Sequence, residues 1–116
     1  LSVAATGEAF ALAIKAGLDS KIVSEVLKVS SGRNYSTEYK FPQYVLPRKF
    51  DDGFRLDLYV KDLNLLRALS DHFDIEMHIG NIVQKIYERA KELGYGELSH
   101  TNIIRMIEED AGVTIK

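Results

Sequence analysis

A run of apolar residues spaced three and four positions apart is the strongest constraint on how this chain can fold. The run consists of Ile79, Ile82, Val83, Ile86, Tyr87, Ala90 and Leu93. This spacing draws one stripe along an α-helix, whereas a half-buried strand needs strict alternation. Gly94 follows directly and is typical of a helix end. Because no other segment has the pattern of a strand, the sequence predicts an all-α domain of five or six helices.

Local signals place the helices that precede this stripe. A first helix over residues 1–16 is expected to end at Gly17, and Asp19 or Ser20 can cap a second one. Asn34 can cap a short helix that runs to about residue 40. Two prolines, Pro42 and Pro47, then make regular structure unfavourable through residues 41–48. Near the other end of the chain, Ser99 is expected to cap the last helix.

The segment from Phe54 to about residue 72 predicts a helix with a carboxylate inside its apolar side. At about 100° per residue, one broad side gathers most of its large apolar residues, namely Leu56, Leu58, Tyr59, Leu63, Leu65, Leu66, Leu69 and Phe73. Asp62 falls near the middle of that side, Lys61 lies at its edge, and Asn64 and Asp71 face away. A buried carboxylate needs a cation or hydrogen-bond donors. Asp62 is therefore either a structural ion-pair partner or a functional group.

Composition excludes several classes of protein. The 116 residues suffice for one domain, and 46% apolar with 28% charged residues is ordinary for a globular protein. The net charge of −2, with no basic stripe, gives no indication of nucleic acid or of a membrane surface. There is no cysteine, no apolar run of membrane-spanning length and no signal peptide at the start. We therefore predict a cytoplasmic protein.

The first seventeen residues are apolar on nearly all sides, which is typical of a buried helix. This helix lacks an initiator Met, a capping residue and a preceding turn. Two explanations are open: a chain cut inside a longer helix, which we favour, and a frayed terminus. Since one small domain cannot cover every side of such a helix, we expect a homo-oligomer in which helices of two chains bury each other.

Few motifs for chemistry are present. His72, His78 and His100 do not have the spacing of metal ligands, so we expect surface or core-edge histidines and predict no metal site. Residues 30–34, Ser-Ser-Gly-Arg-Asn, could hold an anion through backbone N–H groups, although a plain turn is favoured. No Gly-rich phosphate loop follows a strand, so the chain has no nucleotide-binding fingerprint of its own.

Several segments resemble, in order and spacing, the C-terminal domain of the β-hydroxyacid dehydrogenase family. They are residues 8–13 (Glu-Ala-Phe-Ala-Leu-Ala), 15–19 (Lys-Ala-Gly-Leu-Asp), 31–34 (Ser-Gly-Arg-Asn), 50–54 (Phe-Asp-Asp-Gly-Phe), 56–58 (Leu-Asp-Leu), 61–63 (Lys-Asp-Leu) and 99–104 (Ser-His-Thr-Asn-Ile-Ile). The family includes 3-hydroxyisobutyrate dehydrogenase, tartronate semialdehyde reductase and glyoxylate or succinic semialdehyde reductases. One position departs from the pattern: Asp52 stands where many members carry proline, which we expect to alter the turn and not the chemistry.

The resemblance implies a multi-helical domain similar to that of 6-phosphogluconate dehydrogenase-like enzymes, which closes the active-site cleft and mediates oligomerisation over residues 1–116. It also implies that an N-terminal Rossmann domain and the catalytic lysine lie upstream of Leu1 and are absent from this chain. The intact protein would use NAD or NADP on a small β-hydroxy acid or semialdehyde, and this chain alone would be inactive. The rival hypothesis is a free-standing helical interaction module with no enzymatic role.

Three residues match functional positions of that family. Lys61 matches the lysine that reaches the nicotinamide cofactor, where a cation suits a phosphate or a ribose hydroxyl. Asp62 matches the aspartate that approaches the catalytic lysine and would orient it and influence its pKa. Phe54 matches an aromatic residue near the nicotinamide and the substrate, where it would exclude water. The resemblance thus favours the functional interpretation of Asp62.

Overall fold

The computed structural model describes residues 1–116 and contains helices, turns and a single isolated antiparallel bridge between Arg55 and Ser99. Five α-helices follow one another: α1 (Ser2–Lys15), α2 (Ser20–Val29), α3 (Leu56–His72), α4 (His78–Ala90) and α5 (Ile103–Ala111). A π-helix (Ser36–Val45) joins α2 to the loop before α3, and a 3₁₀ turn (His100–Asn102) leads into α5. Helix α4 ends in a short π-turn (Lys91–Tyr95), in which Gly94 leaves the helical conformation at φ +96°. The predicted all-α class is confirmed. No helix is both long and apolar enough to cross a bilayer.

The predicted ends of the first two helices are confirmed by their hydrogen bonds. Gly17 adopts φ +90°, and its N–H donates to the Ile14 carbonyl at 2.9 Å while the Leu18 N–H donates to the Ala13 carbonyl at 3.0 Å. These two bonds form a Schellman motif, which satisfies carbonyls that the helix leaves free. Asp19 caps α2 by accepting from the backbone N–H groups of Lys21 and Ile22.

The expectation that the prolines end regular structure at residue 41 is wrong. The π-helix continues through Pro42 to Val45, and the Leu46 N–H donates to the Phe41 carbonyl five residues back. A π-helix pairs each N–H with the fifth preceding carbonyl, so the wider turn accommodates a ring that would break an α-helix. At its start the Asn34 side chain accepts from the Ser36 N–H at 2.8 Å, which confirms Asn34 as the cap.

The core lies between α1, α5, the π-helix and the inner sides of α3 and α4. Its fully buried side chains are Phe10, Phe41, Val45, Leu56, Tyr87, Ala90, Ile103, Ile104 and Ile115. Gly7 lets α1 and α5 approach closely, since a Cβ atom there would lie 2.5 Å from Ile104 Cδ1. This close approach explains a glycine inside a helix, where it otherwise costs roughly 1 kcal/mol relative to alanine.

The apolar side of α3 is directed differently from the sequence-based expectation. Leu56 and Val60 are its buried residues, and Asn64 faces α4, where Gln84 Nε2 donates to its Oδ1 at 2.6 Å. Large apolar residues on the other side of α3, together with two that follow this helix, are exposed: Leu58, Leu65, Leu66, Leu69, Phe73 and Ile75. We call this set the uncovered face. The helical pattern was therefore correct, but five of the eight apolar residues in the predicted stripe are left exposed.

Candidate functional site

Phe54 lies in a loop that is hydrogen-bonded to the segment before α5. The Leu56 N–H donates to the Leu98 carbonyl at 2.8 Å, and the His100 N–H donates to the Phe54 carbonyl at 2.7 Å. Between these bonds, the Gly53 N–H donates to Ser99 Oγ at 3.1 Å. We call residues 52–56 and 98–101 the paired loops. Ser99 occupies the N-cap position of the 3₁₀ turn that leads into α5, as predicted, but its hydroxyl makes no capping hydrogen bond to that turn.

The carboxylate of Asp52 is fully buried. Its side chain is 0% exposed, and three groups surround it: the Lys40 ammonium from the π-helix, His100 Nδ1 at 2.9 Å and the Thr101 hydroxyl, which donates to Oδ1 at 2.8 Å. The His100 contact is close but lies off the line of an ideal hydrogen bond, so we describe it as an electrostatic contact. We call Lys40, Asp52, His100 and Thr101 the Asp52 cluster.

The partners of Asp52 determine its protonation. Burial by itself would raise the pKa of this carboxyl, but the contacts with His100, Lys40 and Thr101 outweigh burial and hold the pKa well below its usual range. Asp52 is therefore ionised at neutral pH. Its charge also reaches Tyr87, whose fully buried hydroxyl has a raised pKa, first because of burial and then because of Tyr59 and Asp52.

Aromatic rings connect the Asp52 cluster to α3 and α4. The His100 ring lies 5.5 Å from the Tyr59 ring and 5.9 Å from the Phe54 ring, centroid to centroid. Tyr59 in turn packs on Tyr87 at 4.4 Å. Edge-to-face and tilted contacts of this kind are favourable for aromatic rings. The Phe54 ring is thus supported on one side, while the residue as a whole remains 38% exposed.

Lys61 and Asp62 occupy the open surface of α3 and not the core. Their side chains are 63% and 57% exposed, and Lys61 Nζ lies 3.5 Å from Asp62 Oδ1. The expectation of a buried Asp62 is therefore wrong for this chain. By helical position it lies in the middle of the uncovered face, among Leu58, Leu66, Leu69 and Phe73. Neither Lys61 nor Asp62 lines one of the main clefts of the chain, although Leu66, Leu69 and Phe73 of the uncovered face line a small apolar one.

The structure brings the predicted site residues to one region only in part. Phe54 packs against Tyr59 at 6.0 Å, and Tyr59 lies two residues before Lys61 on α3. The sequence analysis missed the Asp52 cluster, because Lys40, Asp52 and His100 are far apart in the chain and share no local motif. The only sequence signal was Asp52 itself, the residue that departs from the family pattern.

A comparison with protein families decides the relationship. Residues 1–107 match a family model described as NAD-binding of NADP-dependent 3-hydroxyisobutyrate dehydrogenase. The chain belongs to this family. The match confirms the predicted cofactor class, NAD or NADP, and the predicted resemblance to 3-hydroxyisobutyrate dehydrogenases.

Individual relatives agree with the family match. The chain is 28% identical to 2-(hydroxymethyl)glutarate dehydrogenase of Eubacterium barkeri over 98% of its own length and 38% of the relative's. It is 27% identical to mouse mitochondrial 3-hydroxyisobutyrate dehydrogenase over 95% and 35% of the two lengths. The NAD-dependent L-serine dehydrogenase of Pseudomonas aeruginosa is 26% identical, over 92% and 38%. The chain therefore spans little more than a third of the length of these relatives.

A solved structure has the same fold. A crystal structure of 3-hydroxyisobutyrate dehydrogenase from Salmonella typhimurium superposes with a TM-score of 0.81 at 24% identity, over 90% of this chain and 36% of the other. At this identity the likeness concerns the fold alone.

The Asp52 cluster predicts a specific dependence of stability on pH. The folded-state pKa of Asp52 lies below the unfolded value of about 4. Its contribution to stability is therefore complete above that value and is lost as pH falls through the folded-state pKa. Asp52→Asn should lower the free energy of unfolding by roughly 2–3 kcal/mol at pH 7, and the difference from wild type should shrink between pH 5 and pH 2.

Urea unfolding at several pH values measures this difference. Asp110→Asn is the matched control, because Asp110 is half exposed and forms a surface ion pair with Arg89. It should have little effect at any pH. A difference between wild type and Asp52→Asn that stays constant down to pH 2 would contradict the assignment.

Proposed function

We propose that this chain is the C-terminal helical domain of an NAD(P)-dependent β-hydroxyacid dehydrogenase, similar to that of 6-phosphogluconate dehydrogenase-like enzymes. The intact protein would carry an N-terminal Rossmann domain and transfer hydride between NAD or NADP and a small β-hydroxy acid or semialdehyde, such as 3-hydroxyisobutyrate or tartronate semialdehyde. The match of residues 1–107 to the family model carries the proposal. The dehydrogenases among the relatives support the reaction type. The cytoplasm is proposed as the compartment from the sequence alone.

The residues of this chain fit a nicotinamide cofactor at the edge of the site. The Lys61 ammonium is exposed, and its one nearby carboxylate is Asp62, so it is available to an anionic or hydroxyl-bearing ligand. The Phe54 ring is held by Tyr59 and His100 from one side and open on the other. The cofactor, when bound, supplies the hydride chemistry. We propose that Lys61 binds a cofactor phosphate or ribose and that Phe54 excludes water from the reacting groups.

Asp62 is proposed to act through the catalytic lysine of the upstream domain. Its carboxylate is exposed in this chain but is surrounded on α3 by apolar residues of the uncovered face. If a second domain covers this face, Asp62 becomes desolvated and must pair with a cation. A lysine brought there would be oriented by Asp62, and its ammonium form would be stabilised, which raises its pKa. The uncovered face is therefore proposed as the side that meets the catalytic lysine.

The experiment that tests the function compares two proteins. The longer polypeptide that contains this chain should reduce NAD or NADP with a small β-hydroxy acid, whereas the purified 116-residue chain should show neither turnover nor strong nicotinamide affinity. Absence of turnover by the longer protein with every β-hydroxy acid and semialdehyde tested would favour the rival, a helical interaction module. Robust turnover by the short chain would refute the division of roles between two domains.

Substitutions at Lys61 and Asp62 in the longer protein should separate their roles. Lys61→Ala should mainly weaken cofactor binding, because it removes one cationic contact. Asp62→Asn keeps the shape but removes the charge, so it should lower kcat more than cofactor affinity and shift the pH–rate profile. Steady-state kinetics and cofactor titration measure both effects.

The control for this pair is Asp71→Asn, on the same helix and exposed. It should leave the rate and the profile unchanged. If Asp62→Asn changes only the melting temperature, the carboxylate is structural.

We also propose a homo-oligomer, although the structure changes the expected reason. Own-chain contacts bury Val3, Phe10 and Ala11 of α1, so this helix is not bare on all sides. What remains open is its outer side with Leu12, 73% exposed, together with Val26 of α2.

In the longer protein, Leu12→Glu should weaken self-association, measured by sedimentation at micromolar concentration, while Leu93→Glu at an exposed site on the π-turn should not. A wild-type monomer would contradict this proposal.

A further inference from the structure

We propose that Asp52 is a positioning residue that fixes Phe54 for the dehydrogenase reaction. This inference rests on the function proposed above, because it concerns the residue assigned there to the nicotinamide and the substrate. The side chain of Asp52 is 0% exposed, so its carboxylate cannot touch a ligand and can act only through the groups around it.

Asp52 joins the π-helix to the entrance of α5. Lys40 reaches it from the π-helix, and His100 and Thr101 reach it from the entrance to α5. The π-helix and the entrance to α5 are both separated in sequence from the loop of Asp52, and the Asp52 carboxylate contacts both of them. An ionised carboxylate at a fully buried position is stable only while such partners stay in place. The charge therefore fixes the loop against both elements.

His100 connects the Asp52 carboxylate to Phe54. His100 contacts Asp52 through Nδ1, donates its backbone N–H to the Phe54 carbonyl at 2.7 Å and places its ring against the Phe54 ring. One residue thus binds the carboxylate, the main chain of Phe54 and its side chain. Movement of His100 away from Asp52 would displace both contacts to Phe54.

The backbone before Asp52 is held in an uncommon conformation. Arg48 and Phe50 have φ of 61° and 51°, a left-handed region that non-glycine residues avoid. Asn102 Nδ2 donates to the Phe50 carbonyl at 3.1 Å, and the guanidinium groups of Arg48 and Arg105 lie 4.7 and 4.6 Å from the centroid of the Phe50 ring. Such conformations persist only where surrounding contacts over-determine them. The loop is therefore built for one geometry, and Asp52 fixes its end next to Phe54.

A double-mutant cycle in the longer protein tests whether Asp52 acts through Phe54. Asp52→Asn should lower kcat/KM about tenfold, as a small misplacement of a group at the reaction centre can. Once Phe54 is replaced by alanine, Asp52→Asn should cost less than about twofold further, because its target is gone. Additive losses in the double variant would overturn the proposal.

The control is Ile107→Ala, which destabilises the fold in another part of the core. Ile107 is 8% exposed and packs beside Gly7 where α5 meets α1, so its loss should weaken the core without changing a contact of Phe54 or His100. Its effect should be additive with Phe54→Ala. If Ile107→Ala shows the same coupling as Asp52→Asn, general destabilisation explains both, and the positioning role is refuted.

Hydrogen exchange gives a readout that does not depend on activity. The His100 amide, which donates to the Phe54 carbonyl, should exchange about tenfold faster in Asp52→Asn under native conditions, whereas the Val23 amide in α2 should not change. Unchanged exchange at His100 would refute the fixation of Phe54. If the longer protein has no dehydrogenase activity, the proposed function fails, and this exchange rate alone decides whether Asp52 holds the loop.

Discussion

The charge of Asp52 is the constraint on which the site region of this domain depends. A carboxylate that is fully buried loses its hydration, and only close cations and donors can replace it. Lys40, His100 and Thr101 do so, and they come from the π-helix and from the entrance to α5. Their convergence brings the loop before α3 against α5, and the paired loops then set the direction in which α3 begins.

From this convergence follows the shape of the surface that α3 presents. Leu56 and Val60 turn towards the core because the paired loops hold the start of α3 there, and Asn64 meets Gln84 further along the helix. With these residues inward, Leu58, Asp62 and Leu69 must face outward, since a helix of 3.6 residues per turn leaves them no other direction. The uncovered face is thus a geometric consequence of how α3 is anchored. Single exposed leucines are ordinary on a protein surface, whereas a set of large apolar side chains on one face indicates an interaction site.

How far the sequence predicted this structure depends on whether a signal was local. The Gly17 and Asp19 caps involve neighbours in the chain, and both were predicted correctly. The helical period of α4 was also correct, because Val83, Tyr87 and Ala90 do pack inward, although Ile79, Ile82 and Leu93 of the predicted stripe are exposed. Pro42 misled the prediction, since the rule for proline applies to α-helices and the chain forms a π-helix there. Local pattern therefore predicts elements well and special backbone geometry poorly.

The candidate site shows the same limit more sharply. A helical wheel places Asp62 among apolar residues but cannot say which protein surface covers them, so burial was inferred where this chain leaves the side chain exposed. The contact of Asp52 with His100 has no local signature at all. The roles of Lys61, Asp62 and Phe54 came from the family resemblance and remain proposals.

Asp52 and Asp62 are suited to different roles in this domain. Asp52 is ionised, fully buried and saturated by its partners, so its pKa lies far from the range in which it could exchange protons, and it is suited to hold geometry. Asp62 is exposed, with Lys61 as its near partner at 3.5 Å, so its environment can still be changed by whatever meets the uncovered face. A group whose surroundings are completed only when a second surface arrives can respond to that surface. Asp52 and Asp62, ten residues apart, are thus proposed to have a structural and a chemical role, respectively. Phe54 lies between them in the sequence; it is proposed to be held by Asp52 and to serve the reaction together with Asp62.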